Sequence, residues 1–156
     1  MVSEGIVVET VGPSNQRKER LFKEVSVMAW IENQFGDVLL LKQKRGNRLW
    51  TLPGGKVRRR ESLREALKRE VFEETGLKIH SPVICHLFER PEKDVLTFLF
   101  RAKLKGVSDV VHPKASEIET ARYGASLPRD ATPSLVFFWK HLHATVRDEG
   151  YPLASK

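Results

Sequence analysis

The sequence of 156 residues contains one cysteine, two methionines and two tyrosines, and no long unbroken apolar run. A lone Cys85 excludes an intrachain disulfide and a multi-cysteine zinc site, which suits a reducing cytosol and a cytoplasmic protein. No stretch approaches the length of a membrane-spanning helix, so no membrane association is expected. The first twenty residues carry Glu4, Glu9 and Glu19 between short apolar stretches, unlike the charged start and continuous apolar core of a secretion signal. Positive charge is what the chain has in excess: its formal net charge is +7 and its isoelectric point is near 9.7. Anions are the favoured partners, whether nucleotide phosphates, RNA or an acidic surface.

With 40% hydrophobic residues the chain has enough material for one ordinary globular core. Residues 1–20 end in Gly12, Pro13, Ser14 and Asn15 followed by a charged group, which reads as a tail or an edge segment with some looseness. The domain proper is expected over 21–150, with a short C-terminal tail at 151–156. Residues 25–31 and 38–41 read as two strands of a hairpin bending at Gly36, and 50–52 as a short extended piece leading to a Gly54–Gly55 loop. A second hairpin is expected from 83–88 and 96–104, turning at 91–94. Thr132 and Pro133 open a last helix, striped by Leu135, Phe138, Leu142 and Val146, with Gly150 beyond its end. Strands interrupted by one helix and closed by another predict an α/β (α+β) fold, a mixed sheet between helices.

The clearest helix covers 62–75. Ser62 and Glu65 form a reciprocal cap at its start, and Gly76 ends it. At about 100° per residue, Leu63, Ala66, Leu67 and Val71 share one arc, and Glu70 falls near its middle. Glu74 lies roughly 40° to one side of Glu70 and Glu73 about 60° to the other. A solvated acidic face would sit opposite the leucines and alternate with Arg64 and Lys68, which lie on the other side of the helix. Carboxylates converging beside apolar groups repel and lose hydration, costs that a hard divalent cation removes.

Gly55, five residues, Glu61, seven residues, and then Arg69-Glu70-Val71-Phe72-Glu73-Glu74-Thr75-Gly76-Leu77 together resemble the signature of the Nudix hydrolase family. The resemblance implies that family's α/β/α sandwich. It further implies that Glu70, Glu73 and Glu74 bind catalytic divalent ions, joined by the backbone carbonyl of Gly55. Mg²⁺ is the expected cofactor, and Mn²⁺ can substitute, since the donors are all oxygen. Arg69 and Glu61 look like the family's supporting pair, a guanidinium orienting carboxylates. Glycine at 54 and 55 suits close approach of metal and polyphosphate, with positive φ expected in the loop. One departure is Arg60, which stands where many relatives have glycine. It puts the usual turn of that loop in doubt and completes Arg58-Arg59-Arg60, three charges suited to a solvated surface or to an acidic ligand.

The implied activity is metal-dependent hydrolysis of a phosphoanhydride bond in a small nucleotide: a nucleotide sugar, ADP-ribose, a dinucleoside polyphosphate or a nucleoside triphosphate. The general base is a box glutamate or an acid from a later loop, where Glu117 and Glu119 are the candidates. Arg45, Arg48 and Lys56 are candidates for holding phosphates, with Lys42 a further cation in the same stretch. Trp50 suits core packing or stacking on a base. Pro91 is explained by a turn, and His141 and His143, two apart on a helix, make a poor metal pair. The rival reading is a non-catalytic nucleotide-sensing or RNA-binding module, supported by the net charge. It has no need of three acids on one apolar helix face, and no aromatic-basic RNA motif accompanies it. Nucleic acid is therefore allowed but not favoured as a partner, and a homodimer is left open.

Overall fold

The computed structural model describes residues 6–9, 20–106 and 110–148. The elements are β1 (Ile6–Glu9), β2 (Arg20–Trp30), β3 (Val38–Gln43), β4 (Trp50–Thr51), β5 (Gly54–Lys56), α1 (Leu63–Thr75), β6 (Ile79–Arg90), β7 (Val95–Leu104), β8 (Ile118–Gly124) and α2 (Pro133–Asp148). A mixed sheet runs β1-β2-β7-β6, with β5 beside the second half of β2, and β4-β3-β8 form a second, antiparallel sheet. The β2–β7 pair is parallel, from Glu24↔Val95 to Trp30↔Arg101. The expected α/β/α sandwich with a mixed sheet is what the chain forms.

Strict alternation in the central strands builds two cores from one stretch of sequence. Val27, Ala29 and the following Ile31, with Leu39, Leu41 and Phe100, face α1 and meet Ala66, Leu67 and Val71. Their neighbours Trp30, Val38, Leu40 and Leu99 face α2 and meet Leu135, Phe138 and Trp139. Trp30 and Trp139 touch with ring centroids 5.4 Å apart. Leu142 of the expected α2 stripe packs against this second core, whereas the side chain of Val146 and all of Gly150 lie outside the described residues. So do residues 1–5, 10–19 and 149–156, and with them most of both expected tails. Among the described residues no helix is long and apolar enough to cross a membrane.

Local chemistry sets the ends of the elements. Ser62 caps α1, with Glu65 N donating to its Oγ at 3.2 Å and Ser62 N donating to Glu65 Oε2 at 2.8 Å. Gly76 closes the helix in the left-handed conformation, φ 72°. The β2–β3 bend is held by Asn33, whose Oδ1 accepts from the amides of Phe35 and Asp37 at 2.9 Å, with Gly36 at φ 82°. The second hairpin is longer than the apolar pattern indicates and turns through a single 3₁₀ turn, Pro91–Lys93. Cys85 lies exposed on β6, which forms an edge of the mixed sheet.

Three segments correct the sequence reading. The Gly54–Gly55 pair is a short strand and not a loop, because its backbone pairs with β2 at Met28↔Gly54 and Val27↔Gly55. Residues 118–124, expected as part of a loop, form β8 against β3; a register shift between Lys42 and Gln43 breaks the period that would have announced it. Ile6–Glu9 adds β1 to the start of β2. Arg60 keeps its turn without glycine by itself taking φ 61°. A side chain there is strained by about 1 kcal/mol. Arg60→Gly is therefore expected to raise the melting temperature by about 2–4 °C in thermal denaturation, the shift about 1 kcal/mol gives in a domain of this size.

Candidate active site

The site is assembled where β5 passes beneath α1. A Cβ at Gly54 would lie 2.1 Å from the carbonyl oxygen of Val27, so side chains are excluded there by the neighbouring strand. A Cβ at Gly55 would lie 2.5–2.7 Å from all three carboxyl atoms of Glu70. Gly55 is thus glycine because an acid comes down onto its backbone, and no positive φ is involved at that position. One residue earlier the chain binds both partners: Ala29 N donates to Pro53 O at 2.8 Å, and Gly54 N donates to Glu74 Oε2 at 2.8 Å.

Arg69 is the hub. Its Nε and one terminal nitrogen grip Glu61 at 2.6 and 2.9 Å. Its other terminal nitrogen reaches Glu70 at 2.6 Å and Glu73 at 3.4 Å. A further bond to the carbonyl of Lys56, at 3.0 Å, ties the helix to β5. The Arg69 and Glu61 side chains are only 16% and 13% exposed, so these bonds form in poor competition with water. The Arg69 hydrogen bonds hold the Glu61 carboxyl below its ordinary range. Loop and helix are locked together as a result: Arg58 N also donates to Glu61 Oε2, at 2.9 Å.

Glu74 has a different environment. Desolvation pushes its carboxyl up to about 8, against the pull of the Gly54 amide, and the charges of Glu70 and Glu117 add to the rise. It lines a cleft of ≈ 460 Å³ with Gln43, Arg45, Asn47, Leu49 and Glu117. Glu117 is delivered there by a strap that caps α1: His112 N donates to Thr75 O at 2.8 Å and Lys114 N to Glu74 O at 3.0 Å. Lys114 Nζ then holds Glu117 at 2.8 Å.

The three box acids are not gathered at one point. Arg69 holds Glu70 and Glu73 while the Gly54 amide holds Glu74, and among the described residues no three His, Cys, Asp or Glu side chains form a ready-made metal cage. Mutual repulsion sends each acid to the donor nearest it, which corrects the convergence expected from helix angles alone. The donor chemistry nevertheless fits a hard cation. Glu70, Glu73, Glu74 and Glu117 supply only oxygen, Glu74 carries a desolvated carboxyl, and the acid-filled space over Gly55 leaves no room for a Cβ.

Other candidates fall into place unequally. Arg45 lines the cleft. Arg48, in a left-handed turn, is tied to Glu119 at 2.6 Å. That pair holds Glu119 on β8 and not in a loop, while Glu117 lies in the turn before the strand. Lys56 reaches Glu24 at 2.7 Å. Lys42 points to the α2 side of its strand, where it and Arg122 flank Trp50 at 5.8 and 4.7 Å from the ring centroid. Trp50 packs partly into the second core. His141 meets His86 edge-on and Phe137 at a tilt, and the side chain of His143 lies outside the described residues. Lys114, the partner of the candidate Glu117, escaped the sequence reading. Their spacing of three was its only signal, and nothing in that spacing announces proximity to α1.

The NUDIX domain family model matches residues 22–137. The phosphatase NudJ of Escherichia coli (strain K12) is 30% identical over 107 residues, covering 66% of this chain and 69% of that protein. An 8-oxo-dGTP diphosphatase of Buchnera aphidicola is 36% identical over 72 residues, covering 44% of this chain and 58% of that one. The chain spans about half the length of several curated relatives that it matches. A solved NUDIX hydrolase from Nitrosomonas europaea shares the fold with a TM-score of 0.69 at 22% identity, covering 92% of this chain and 88% of that one.

Two outcomes follow from the site's electrostatics. Glu74 has an ordinary value of 4.5 when unfolded and about 8 when folded, so between those values the native state binds the extra proton. Stability should therefore fall as pH rises through that window, by up to about 1.4 kcal/mol per pH unit. Thermal denaturation of metal-free protein from pH 5 to pH 8 should show this decline. Glu74→Gln should flatten it, and Mg²⁺ should offset it most at the alkaline end. Arg69→Lys keeps the charge but loses the planar fork. It should lower the melting temperature and speed amide exchange at Arg58 and Glu61, read by hydrogen exchange.

Proposed function

Since the chain belongs to the NUDIX domain family, we propose that it is a divalent-metal-dependent hydrolase that cleaves a phosphoanhydride bond in a nucleoside-diphosphate-linked or nucleoside triphosphate substrate. The observation that carries this reading is the set of acids on α1 beside the Gly54–Gly55 backbone, Glu70 and Glu73 held by Arg69 and Glu74 by the Gly54 amide, next to a cleft that Arg45 lines. Glu70, Glu73 and Glu74, with the Gly55 carbonyl, would hold Mg²⁺ or Mn²⁺. When bound, such an ion offsets phosphate charge and makes bound water a better nucleophile.

The chain's own residues supply orientation and proton transfer. Water adds to one phosphorus, the bridging oxygen leaves with the other, and the water's proton passes to a carboxylate. Glu117 is the better base of the two later acids, since it lines the cleft beside Glu74 and Glu119 does not. Arg45, which lines the cleft, would hold a phosphate there. Arg48 and Lys56 do not line the cleft and are weaker candidates for that role. A relative named 8-oxo-dGTP diphosphatase supports a nucleotide substrate. A cytoplasmic location agrees with the single cysteine.

Glu70→Gln and Glu74→Gln should each lower Mg²⁺-dependent turnover by roughly a hundredfold or more while the fold is retained. Circular dichroism checks the fold, and product release from a panel of ADP-ribose, nucleotide sugars, dinucleoside polyphosphates and normal or oxidised nucleoside triphosphates checks the activity. Full activity in both variants would sink the proposal. The non-catalytic reading predicts nucleotide binding without turnover in the same panel.

A further inference from the structure

Two flanks of α1 carry opposite arrangements around the acid row. On one, Glu74 opens into the cleft with Arg45. On the other, Glu73 is approached by Arg58 at 3.5 Å, and that guanidinium is still 62% exposed. The loop carrying Arg58, Arg59 and Arg60 is rigidly mounted. Glu61 N donates to Arg58 O at 3.1 Å, Arg58 N returns a bond to the Glu61 carboxylate, and Glu61 is gripped twice by Arg69.

Arg60 stands at the left-handed corner of that mount, exposed to solvent, in a conformation that glycine would adopt with less strain. A strained residue with no packing reason for its side chain is a pointer to function. The charge logic agrees. A row of carboxylates repels any phosphate chain that runs along it, so a substrate extending past the reacting anhydride needs positive charge at its far end as well as in the cleft.

We propose that Arg58, beside Glu73, and Arg60, two residues further along the same loop, form a second anion subsite, which takes the far end of a phosphate chain continuing beyond the cleaved anhydride. The substrate class it selects is nucleotides with three or more phosphates in line, the nucleoside triphosphates and dinucleoside polyphosphates, over nucleotide sugars and ADP-ribose, in which a sugar begins directly after the diphosphate. The position of the cleaved bond rests on the hydrolase reading. The anion subsite itself does not.

The test uses the full chain in four forms: wild type, Arg58→Gln, Arg60→Gly and Lys103→Gln. The last removes one exposed charge from β7, a strand that contributes no residue to the site. Inorganic tripolyphosphate and pyrophosphate are titrated into each metal-free protein by calorimetry at low salt. Arg58→Gln and Arg60→Gly should weaken tripolyphosphate by about tenfold, the loss expected for one charge-assisted contact, and pyrophosphate by less. Lys103→Gln should weaken both slightly and equally. With Mg²⁺, the KM of Arg60→Gly relative to wild type should rise more for diadenosine tetraphosphate and for a nucleoside triphosphate than for ADP-ribose. Equal losses for short and long anions, or losses matched by Lys103→Gln, overturn the subsite. Retained length-dependent binding with no hydrolysis of any substrate would support the subsite and remove the hydrolase reading. Because Arg60→Gly relieves backbone strain, its result is not confounded by unfolding.

Discussion

A two-point grip between Glu61 and Arg69 joins the loop after β5 to the middle of α1, and the remaining acids are arranged around it. The guanidinium has more donors than Glu61 can use, and the surplus reaches Glu70, Glu73 and the Lys56 carbonyl. One planar cation thereby sets the spacing of three carboxylates, the height of the loop and the contact between helix and strand. Lysine could neutralise the same charge but could not fix these directions. With both side chains largely withdrawn from water, loss of Arg69 would leave the Glu61 carboxylate with the Arg58 amide alone of these donors, whereas loss of Glu61 would leave Arg69 its bonds to Glu70, Glu73 and the Lys56 carbonyl. The pair is a mechanical joint as much as an electrostatic one.

The acids divide into two kinds because they meet different neighbours. Glu70 and Glu73 are charge-matched by Arg69, with Arg58 adding to Glu73. Glu74 is matched by one backbone amide and at longer range by Lys114, and its carboxyl is pushed up by burial and by the negative charges around it. A cation entering from the cleft would therefore find its greatest return at Glu74, where the charged form is most penalised. The strap ending in Glu117 adds another oxygen donor across the same opening and brings its own lysine as a provisional counter-charge.

The parts of the chain legible in the sequence are those whose signals are local and repeated. Ser62, Glu65 and Gly76 announce α1 at both ends, and the alternation of Val27, Ala29 and Ile31 with Met28 and Trp30 announces a strand buried on two faces. The family itself was legible because the spacing from Gly55 to Leu77 is a one-dimensional pattern. Strands made by partnership were not legible. Gly54 and Gly55 have no strand propensity and pair with β2 only because two facing backbones can approach closely at glycine. β8 was hidden by its bulge. Among candidate side chains, sequence could not choose between Glu117 and Glu119, which differ by two residues and end in a cleft and an ion pair respectively. Nor could it say that Arg60 would bend as glycine does.

One feature of the edge strand has practical reach. Cys85 is the chain's single thiol, it is exposed, and it lies on β6, away from the loop, helix and strap that build the site. A fluorophore or spin probe attached there would mark every molecule once, at a fixed point of the sheet. A second thiol introduced on the arginine loop or the strap would then report their movements as changes in its distance from Cys85, with no native cysteine to remove first.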